Sequence, residues 1–482
     1  MAFHGVIPAA GQGIRAYPAT KRIPKVLLEI AGKPLIVRNI EIMRDQLGIR
    51  DITIIVGYLE DQVRAALGSG EALGVDLTFL RCPDPTIGLA RGLLLAMDRI
   101  AAPFVTILGD ELYLESNHAD FAGLDLGSAV AACGVHHTRN KRQILKNYGV
   151  KIVDDRVARV EEKPSSTHDH LLGVGTYVFH PRMADWLGKT APSARSGKIE
   201  LTDALMNAID GGERVTALHV QGQYFNVNSI EDYNDANYAG RKLKFGQYKL
   251  SLVVPAYNEE ESIGYAIDDF LPHVHEVLIV NNSSRDRTEE VARQHGARVE
   301  TVALKGYGDS IKYGLDHAVG DILIVAEADH SFHAKDLDKL LEYLKDADMV
   351  IGTRTTRELI EQGTNMRGLV RWGNVLVGKL VEIMWWGQQP RFTDVGCTFR
   401  AVWKEAWLKI RDRMQGVGPE FSPEMMIEML RARRRVIEIP VSYYARVSGT
   451  SKHSDNYFKI SKTALRMLRV IFKKRFLGDW RP

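Results

Sequence analysis

Cysteine is scarce. The 482 residues hold three, Cys82, Cys133 and Cys397, far apart and odd in number. No disulfide framework and no metal-ligand spacing can be drawn from them, which suits a reducing cytoplasm. An excess of one charge is missing too. Against 63 Lys and Arg stand 60 Asp and Glu, a formal net charge of +3, so composition gives no argument for a nucleic-acid partner. Nor is there a long apolar run. Membrane-spanning helices need about 20 apolar residues, and the longest candidate, NVLVGKLVEIMWWG, is interrupted by Lys379 and Glu382. The opening MAFHGVIPAAG has neither the basic nor the apolar region of a signal peptide. Low-complexity segments and short repeats are lacking. What remains is 45% hydrophobic and 26% charged residues, the ordinary proportions of globular domains, in a chain long enough for two or three cores.

Short apolar runs alternate with amphipathic stretches along the whole chain. ITIIVG (52–57), FVTILGD (104–110), LSLVVPAY (250–257), EVLIVNN (276–282) and DILIVAEAD (321–329) read as buried strands. EDQVRAAL and KDLDKLLEYL between them read as helices. The alternation predicts an α/β protein of two Rossmann-like domains in tandem, each a mostly parallel sheet flanked by helices. The seam is AGRKLKFGQYK (239–249), basic and holding two glycines. It sets a first domain at 1–240, a linker at 241–248 and a second domain at 249–482. Each half opens with a strand that runs into a polar loop and later has a strand that ends in acid, LGD at 108–110 and AEAD at 326–329. Such strand ends are where open α/β sheets hold ligands.

In the first half, IPAAGQGIR places Gly11 and Gly13 where backbone N–H groups can approach a phosphate chain closely. Arg15 and Lys25 add fixed positive charge. With PATK (18–21), PK (24–25) and GKPLI (32–36), this stretch resembles the sugar-1-phosphate nucleotidyltransferases, most of all the glucose-1-phosphate uridylyltransferase branch. The resemblance continues through LGDE, YGV, VEEKP, GVGTYVF, ELTDAL and FNVNSIEDY and covers about residues 1–240. It implies attack of a sugar-1-phosphate oxygen on the α-phosphorus of an NTP. The nucleophile is already an anion, so positioning and charge neutralisation carry the reaction. By the same resemblance, Arg15 and Lys25 hold the triphosphate and Asp110 binds Mg²⁺. Lys163 meets the sugar phosphate, Gly88 faces the base, and Gly149 and Gly173 face the sugar. Many relatives place a second metal-binding Asp near FNVNS. Here Asn226 and Asn228 stand there, neutral oxygen ligands that bind Mg²⁺ less strongly than a carboxylate.

In the second half, LSLVVPAYNEEESI, EVLIVNNSSRDRT and DILIVAEADHSF resemble the nucleotide-binding core of the family 2 glycosyltransferases. KGYGDSIKYGL, GTR, FTDVGCTFRAV and FSPEMMIEML…EIPVSYYARVSGTSK extend the match toward the polyprenyl-phosphate branch, which includes dolichol-phosphate mannose synthase. The resemblance implies a nucleotide-sugar donor and a divalent metal, Mg²⁺ or Mn²⁺, that counters charge on the departing diphosphate. The metal residues are Glu327 and Asp329, with Glu327 standing where the family's motif has Asp. Pro255, Tyr257 and Glu259 contact the nucleoside. Asn281 and Asn282 replace the usual acidic pair, and Asp286 is a candidate helix cap. A hydroxyl acceptor needs a base, for which Asp394 and Glu424 are the candidates. A lipid-phosphate acceptor needs cations instead, and Arg446 and Lys452 match the loop that grips it. The competing reading of Asp394 is a buried structural carboxylate.

The tail KISKTALRMLRVIFKKRF (459–476) contains no acidic residue. Lys462, Arg466, Arg469 and Lys473 recur at helical spacing beside a stripe of Leu465, Leu468, Phe472 and Phe476. That pattern fits a helix lying on an anionic membrane surface, with Trp385 and Trp386 as further interfacial anchors. It equally fits a helix packed on its own domain with a solvated basic face. Together the halves predict a cytoplasmic bifunctional enzyme, peripheral on the inner face of the membrane. It would make an NDP-sugar and transfer the sugar to a polyprenyl phosphate. Three alternatives stay open: a cytidylyltransferase for choline or alditol phosphate in the first half, a degenerate nucleotide-sugar-binding module in the second, and GDP-mannose chemistry in both.

Overall fold

His4–Ala9 is the central strand of the first sheet, and it reads as a continuous apolar run because both its faces are covered. It pairs in parallel with Asp51–Val56 on one side and Phe104–Ile107 on the other. Asp76–Arg81 extends the first side, again in parallel. Beyond Phe104–Ile107 the direction reverses. The strand Leu171–Phe179 runs antiparallel and carries Ala131–His137 and Tyr148–Val153, which completes a nine-stranded sheet with Arg156–Glu162 and Val215–His219 at its margins. Helices including Leu35–Glu41, Glu60–Leu67, Leu89–Met97 and Leu201–Asp210 supply the buried side chains of the covering layers. These features come from a computed structural model that describes residues 3–17, 19–84, 88–167, 170–361, 368–388, 390–447 and 457–477.

Because neighbouring parallel strands end at one edge, the loop after Ala9 and the turn after Ile107 emerge side by side. Their approach is close enough that a Cβ on Gly109 would lie 2.7 Å from the Pro8 carbonyl oxygen. A side chain there would push Asp110 away from the loop it faces.

The chain divides into two compact units, Met1–Arg241 and Lys242–Pro482. The stretch expected as linker is structured. The helix Ile230–Leu243 runs into it and a turn of 3₁₀ helix, Phe245–Gln247, follows. Apolar anchoring explains this: the Phe245 and Tyr248 rings pack edge-on against Trp403, with centroids 5.9 and 4.8 Å away.

The second unit repeats the logic of the first. Leu250–Ala256 pairs in parallel with Glu276–Asn281 and Ile322–Val325, and Arg298–Thr301 continues the first side. Arg400–Trp403 then inserts antiparallel beside Ile322–Val325, followed by Met349–Thr353 and Val436–Pro440, for seven strands in all. One continuous apolar core runs from Leu252 to Ile471. The helix Phe421–Arg431 is buried nearly all round, and the last helix, Tyr457–Phe472, lies against it. That last helix buries Met467 and Ile471 and leaves Leu465 and Phe472 exposed.

Candidate active sites

The first site is a cleft of about 610 Å³ at the strand ends, within the size range of small-molecule sites. Its floor is the loop after His4–Ala9. Gly13 sits at φ 62°, left-handed backbone that a side chain would strain, and a Cβ there would press on Lys25 at 3.1 Å. Around Gly11 a Cβ would meet nothing within 4 Å, so the backbone there faces open space. Lys25 is 7% exposed. Its ammonium lies 2.6 Å from Asp110 Oδ2 and donates to Asn228 Oδ1 at 2.9 Å. Arg15 Nη2 donates to the same Asn228 oxygen at 2.9 Å. Asn228 in turn donates to Asn226 Oδ1 at 2.6 Å, and Asn226 to Asn147 Oδ1 at 2.9 Å. One connected polar chain thus joins four distant parts of the sequence.

Gly88 and Lys163 line the same cleft. Gly88, at φ 117°, starts the helix Leu89–Met97, and a Cβ on it would lie 2.8 Å from the Ile199 carbonyl. Lys163 holds φ 43°, an uncommon conformation for a residue with a side chain. Its amide is fixed by Asn147 O at 2.6 Å, and its carbonyl accepts from Arg195 Nη1 at 2.6 Å. The ammonium is half exposed beside Glu162, 3.1 Å away. Gly149 and Gly173, expected at the sugar, are not among the cleft-lining residues. A Cβ on Gly173 would fall 1.8 Å from the Tyr148 ring. That glycine makes room for the buried tyrosine pair, whose Tyr148 and Tyr177 hydroxyls bond at 2.9 Å.

Beneath Asp110 lies a buried polar layer that the motifs did not single out. Glu111 accepts from Tyr113 Oη at 2.6 Å, Tyr224 Oη at 2.7 Å and the Gly175 amide at 2.6 Å. Burial pushes its carboxyl up to about 7, Asp110 adds to that, and the hydrogen bonds oppose it. The only signal was the second acid of LGDE, which reads as one more polar residue at a strand end. His118 closes the layer, bonded to Thr176 Oγ1 at 2.9 Å and Ser116 Oγ at 2.8 Å. Burial pushes its imidazole down to about 4, from an ordinary value of 6.5. The unfolded chain takes up this proton as pH falls through about 6.5, whereas the native state resists it until about 4. Stability is therefore lost across that window as pH falls. Between pH 7 and 5 the expected loss from this group is about 2 kcal/mol. Thermal melts at those two pH values should show a larger drop for the native chain than for His118→Gln; equal drops would refute the assignment.

The second site gathers at the end of Ile322–Val325. Asp329 is 2% exposed, and its Oδ2 lies 3.0 Å from Arg446 Nε. Arg446 Nη2 is 3.8 Å from Glu327 Oε2, while Glu327 Oε1 accepts from Thr398 Oγ1 at 2.8 Å. Burial pushes the Glu327 carboxyl up to about 7 and the neighbouring Asp329 pushes the same way. Burial works against the Arg446 charge, but the fields of Asp329, Glu327, Tyr443 and Glu259 outweigh it and hold the guanidinium firmly protonated. Pro255 is buried at the end of the central strand and Tyr257 is exposed just beyond it. Glu259 accepts from Ser262 Oγ at 3.0 Å, and its amide donates to Thr288 Oγ1 at 2.8 Å. Lys452 lies outside the described residues.

Two expected bases are corrected here. Asp394 is fully buried and held by Arg354 in a two-pronged pair, Nε to Oδ2 at 2.8 Å and Nη2 to Oδ1 at 3.1 Å. The amides of Arg354 and Gly396 add two more hydrogen bonds, at 3.1 Å each. Both carboxylate oxygens are taken by these partners, so Asp394 positions Arg354. Glu424 sits deep in the helix Phe421–Arg431 and accepts from the Gly416 amide at 2.6 Å and from Lys474 Nζ at 2.8 Å. It anchors the last helix, since Lys474 is itself buried and also reaches Glu428 at 2.9 Å. The asparagines in place of the acidic pair brace loops: Asn281 accepts from the Ser284 amide at 3.1 Å and Asn282 from the Leu304 amide at 2.8 Å. Asp286, expected as a cap, lies one residue before the N-cap Arg287 of the helix Thr288–Gln294, whose N-cap side chain makes no capping bond; it accepts from the amide of Thr288, the first helical residue, at 3.1 Å.

The two halves match different protein families. The Nucleotidyl transferase family profile matches residues 4–242 and the Glycosyl transferase family 2 profile residues 251–400. An uncharacterized glycosyltransferase of Mycobacterium bovis is 34% identical over 212 residues, 42% of this chain and 89% of that protein. The second half belongs to the glycosyltransferases, and the first half carries the Nucleotidyl transferase profile. The low-salt glycan biosynthesis nucleotidyltransferase of Haloferax volcanii is 30% identical over 237 residues, 48% of this chain. The low-salt glycan biosynthesis hexosyltransferase of the same organism is 26% identical over 261 residues, 53% of this chain. These matches span 64% and 59% of the two Haloferax proteins' own lengths.

Proposed function

We propose that the chain is a bifunctional enzyme: its first unit makes an NDP-sugar from an NTP and a sugar-1-phosphate, and its second transfers that sugar to a polyprenyl phosphate at a membrane surface. The observation that carries the first step is the convergence of Arg15, Lys25 and Asp110 with Asn228 at one end of a cleft floored by glycine backbone. A sugar-1-phosphate oxygen forms the new bond to the α-phosphorus and pyrophosphate departs. Arg15 and Lys25 neutralise the crowded phosphates and Lys163 meets the incoming sugar phosphate. Asp110, Asn226 and Asn228 offer hard oxygens of the kind Mg²⁺ takes. Glu327 and Asp329 offer two carboxylates for Mg²⁺ or Mn²⁺, and Glu327, raised toward neutrality beside its neighbour, has reason to accept a cation. When bound, such ions supply positive charge at a departing diphosphate. In the second unit Pro255, Tyr257 and Glu259 hold the nucleoside, and Arg446 and Lys452 receive the acceptor phosphate. An ionised lipid phosphate needs no base, which agrees with Asp394 and Glu424 being engaged elsewhere.

Two proteins of Haloferax volcanii named for a single glycan process, a nucleotidyltransferase and a hexosyltransferase, support a paired reading. An anionic lipid surface is the partner read for the last helix. Leu465, Phe472 and Phe476 are exposed among Lys462, Arg466, Arg469 and Lys473. Trp372, Leu376, Ile383 and Trp386 are exposed on and just after the helix Leu369–Met384 in contact with it. Among the described residues no helix is long and apolar enough to cross a membrane. Leu465→Ser combined with Phe476→Ser should cut binding to vesicles containing anionic lipid at least tenfold, with pyrophosphate release unchanged; sedimentation with vesicles reads it, and unchanged binding would remove the membrane from the proposal. The reaction itself is tested by offering a panel of NTPs and sugar-1-phosphates with Mg²⁺, then a short polyprenyl phosphate. Pyrophosphate should appear for one pairing and a sugar-lipid should follow; no pyrophosphate across the panel overturns the first step.

A further inference from the structure

Beside the second site lies a cluster that neither family assignment uses. Asp269 stands near the end of the helix Ile263–Phe270, while His330 and His333 follow Asp329 on the next loop. One atom from each of the three groups lies within 4.8 Å of the others. His330 Nε2 is 3.3 Å from Asp269 Oδ2 and His333 Nδ1 is 3.9 Å from the same oxygen. The imidazoles stack at 4.1 Å and 21°. All three side chains are partly buried.

We propose that Asp269, His330 and His333 bind a borderline divalent ion of the Zn²⁺ type, in a seat separate from the one offered by Glu327 and Asp329. Hydrogen bonding accounts for only part of the arrangement. Asp269 Oδ2 accepts from the Ala334 amide at 2.9 Å and is within hydrogen-bond reach of His330 Nε2 at 3.3 Å, but the 3.9 Å separation to His333 is no hydrogen bond. Among the described residues neither ring nitrogen of His333 has a hydrogen-bond partner. Ligands about 2.0–2.2 Å from a tetrahedral ion lie about 3.3–3.5 Å from each other. The observed 3.3 and 3.9 Å to Asp269 are close to that requirement, and the stacked imidazoles, whose nitrogen lone pairs lie in near-parallel planes, must turn for both to face one ion. The donor set decides the class of ion: two imidazoles and one carboxylate suit Zn²⁺ and its neighbours, whereas Mg²⁺ prefers oxygen throughout. Three protein ligands leave a fourth position for water. His330 holds φ 55°, a left-handed turn that brings its ring back toward Asp269.

The ion would pin three pieces together: the helix bearing Asp269, the loop bearing Asp329, and the segment leading to Arg446. The last is included because the Tyr444 ring packs on His333 at 4.1 Å. Its role is positioning, and its existence does not depend on the proposed reaction.

The test uses the full chain stripped of metal and titrated with Co²⁺, whose visible ligand-field bands report tetrahedral nitrogen and oxygen ligands. About one equivalent should give those bands, and Zn²⁺ should displace it. His333→Gln should abolish the bands and weaken Zn²⁺ binding by at least about 100-fold, on the scale of losing one ligand. Asp329→Asn should keep them, which separates this seat from the neighbouring carboxylates. If His333→Gln melts below the assay temperature, Asp269→Asn serves in its place. Absence of tetrahedral bands in the native chain, or their persistence in a folded His333→Gln or Asp269→Asn variant, overturns the proposal.

Discussion

Lys25→Met should lower pyrophosphate release by about 10²–10³-fold while leaving transfer from a supplied nucleotide-sugar intact. Removing one preorganised charge donor from a buried reaction centre costs about that much. The residue suits the role because its ammonium is held rather than free to wander. Its side chain is 8% exposed, with Asp110 Oδ2 at 2.6 Å and Asn228 Oδ1 at 2.9 Å fixing the direction. Met keeps most of the volume and loses the ammonium with its two hydrogen bonds, so the effect on the overall fold should be small. A melting temperature close to that of the native chain would establish this. Removal also leaves Asp110 without its 2.6 Å partner, which adds to the loss. Arg15→Ala should act in the same direction with a smaller effect, since Arg15 is exposed and held by one contact to Asn228. Measuring both reactions on one preparation decides the matter. Loss of both would show that the sites are not independent, and retention of pyrophosphate release would remove Lys25 from the mechanism.

Asp329→Asn should depress sugar transfer at least about 100-fold and leave pyrophosphate release at the native rate. The substitution changes charge but not shape. Asp329 lies against Arg446 at 3.0 Å, and its Oδ1 accepts the Ser331 amide at 3.0 Å, so the loop has reason to keep its course. Glu327→Gln should cost less. Burial and Asp329 already push that carboxyl to about 7, so a neutral side chain is close to one of its own states near neutral pH. Donor hydrolysis and transfer, assayed with Mg²⁺ or Mn²⁺, read both variants. Equal loss in the two would mean that the pair acts as a unit; no loss in Asp329→Asn would sink the metal assignment and favour a binding module.

Much of this is legible in the sequence. The strands at 52–57, 104–110, 250–257, 276–282 and 321–329 declare themselves because a parallel strand covered on both faces must be apolar throughout. Glycines at a strand end next to Arg and Lys are equally plain, since they suit a phosphate-like ligand. Local patterning also found the basic last helix. It did not find that this helix turns Met467 and Ile471 inward, and the turn Lys473–Leu477 after it Lys474, while Leu465 and Phe472 stay out.

The sequence by itself determined the two α/β halves, the glycine-and-cation loop of the first, and the acidic strand end of the second, because each is written in residues adjacent along the chain. Tertiary structure alone decided which charges neutralise which. Asp394 is taken by Arg354, forty positions away, and Glu424 by Lys474 from the turn just after the last helix. Glu111 is buried between Tyr113 of its own strand and Tyr224 of a strand more than a hundred residues on, and Asp269 meets His330 and His333 across sixty residues. Whether a carboxylate is a base, a brace or a ligand depends on its desolvation and on the charge beside it. Both are set by neighbours that chain order does not reveal.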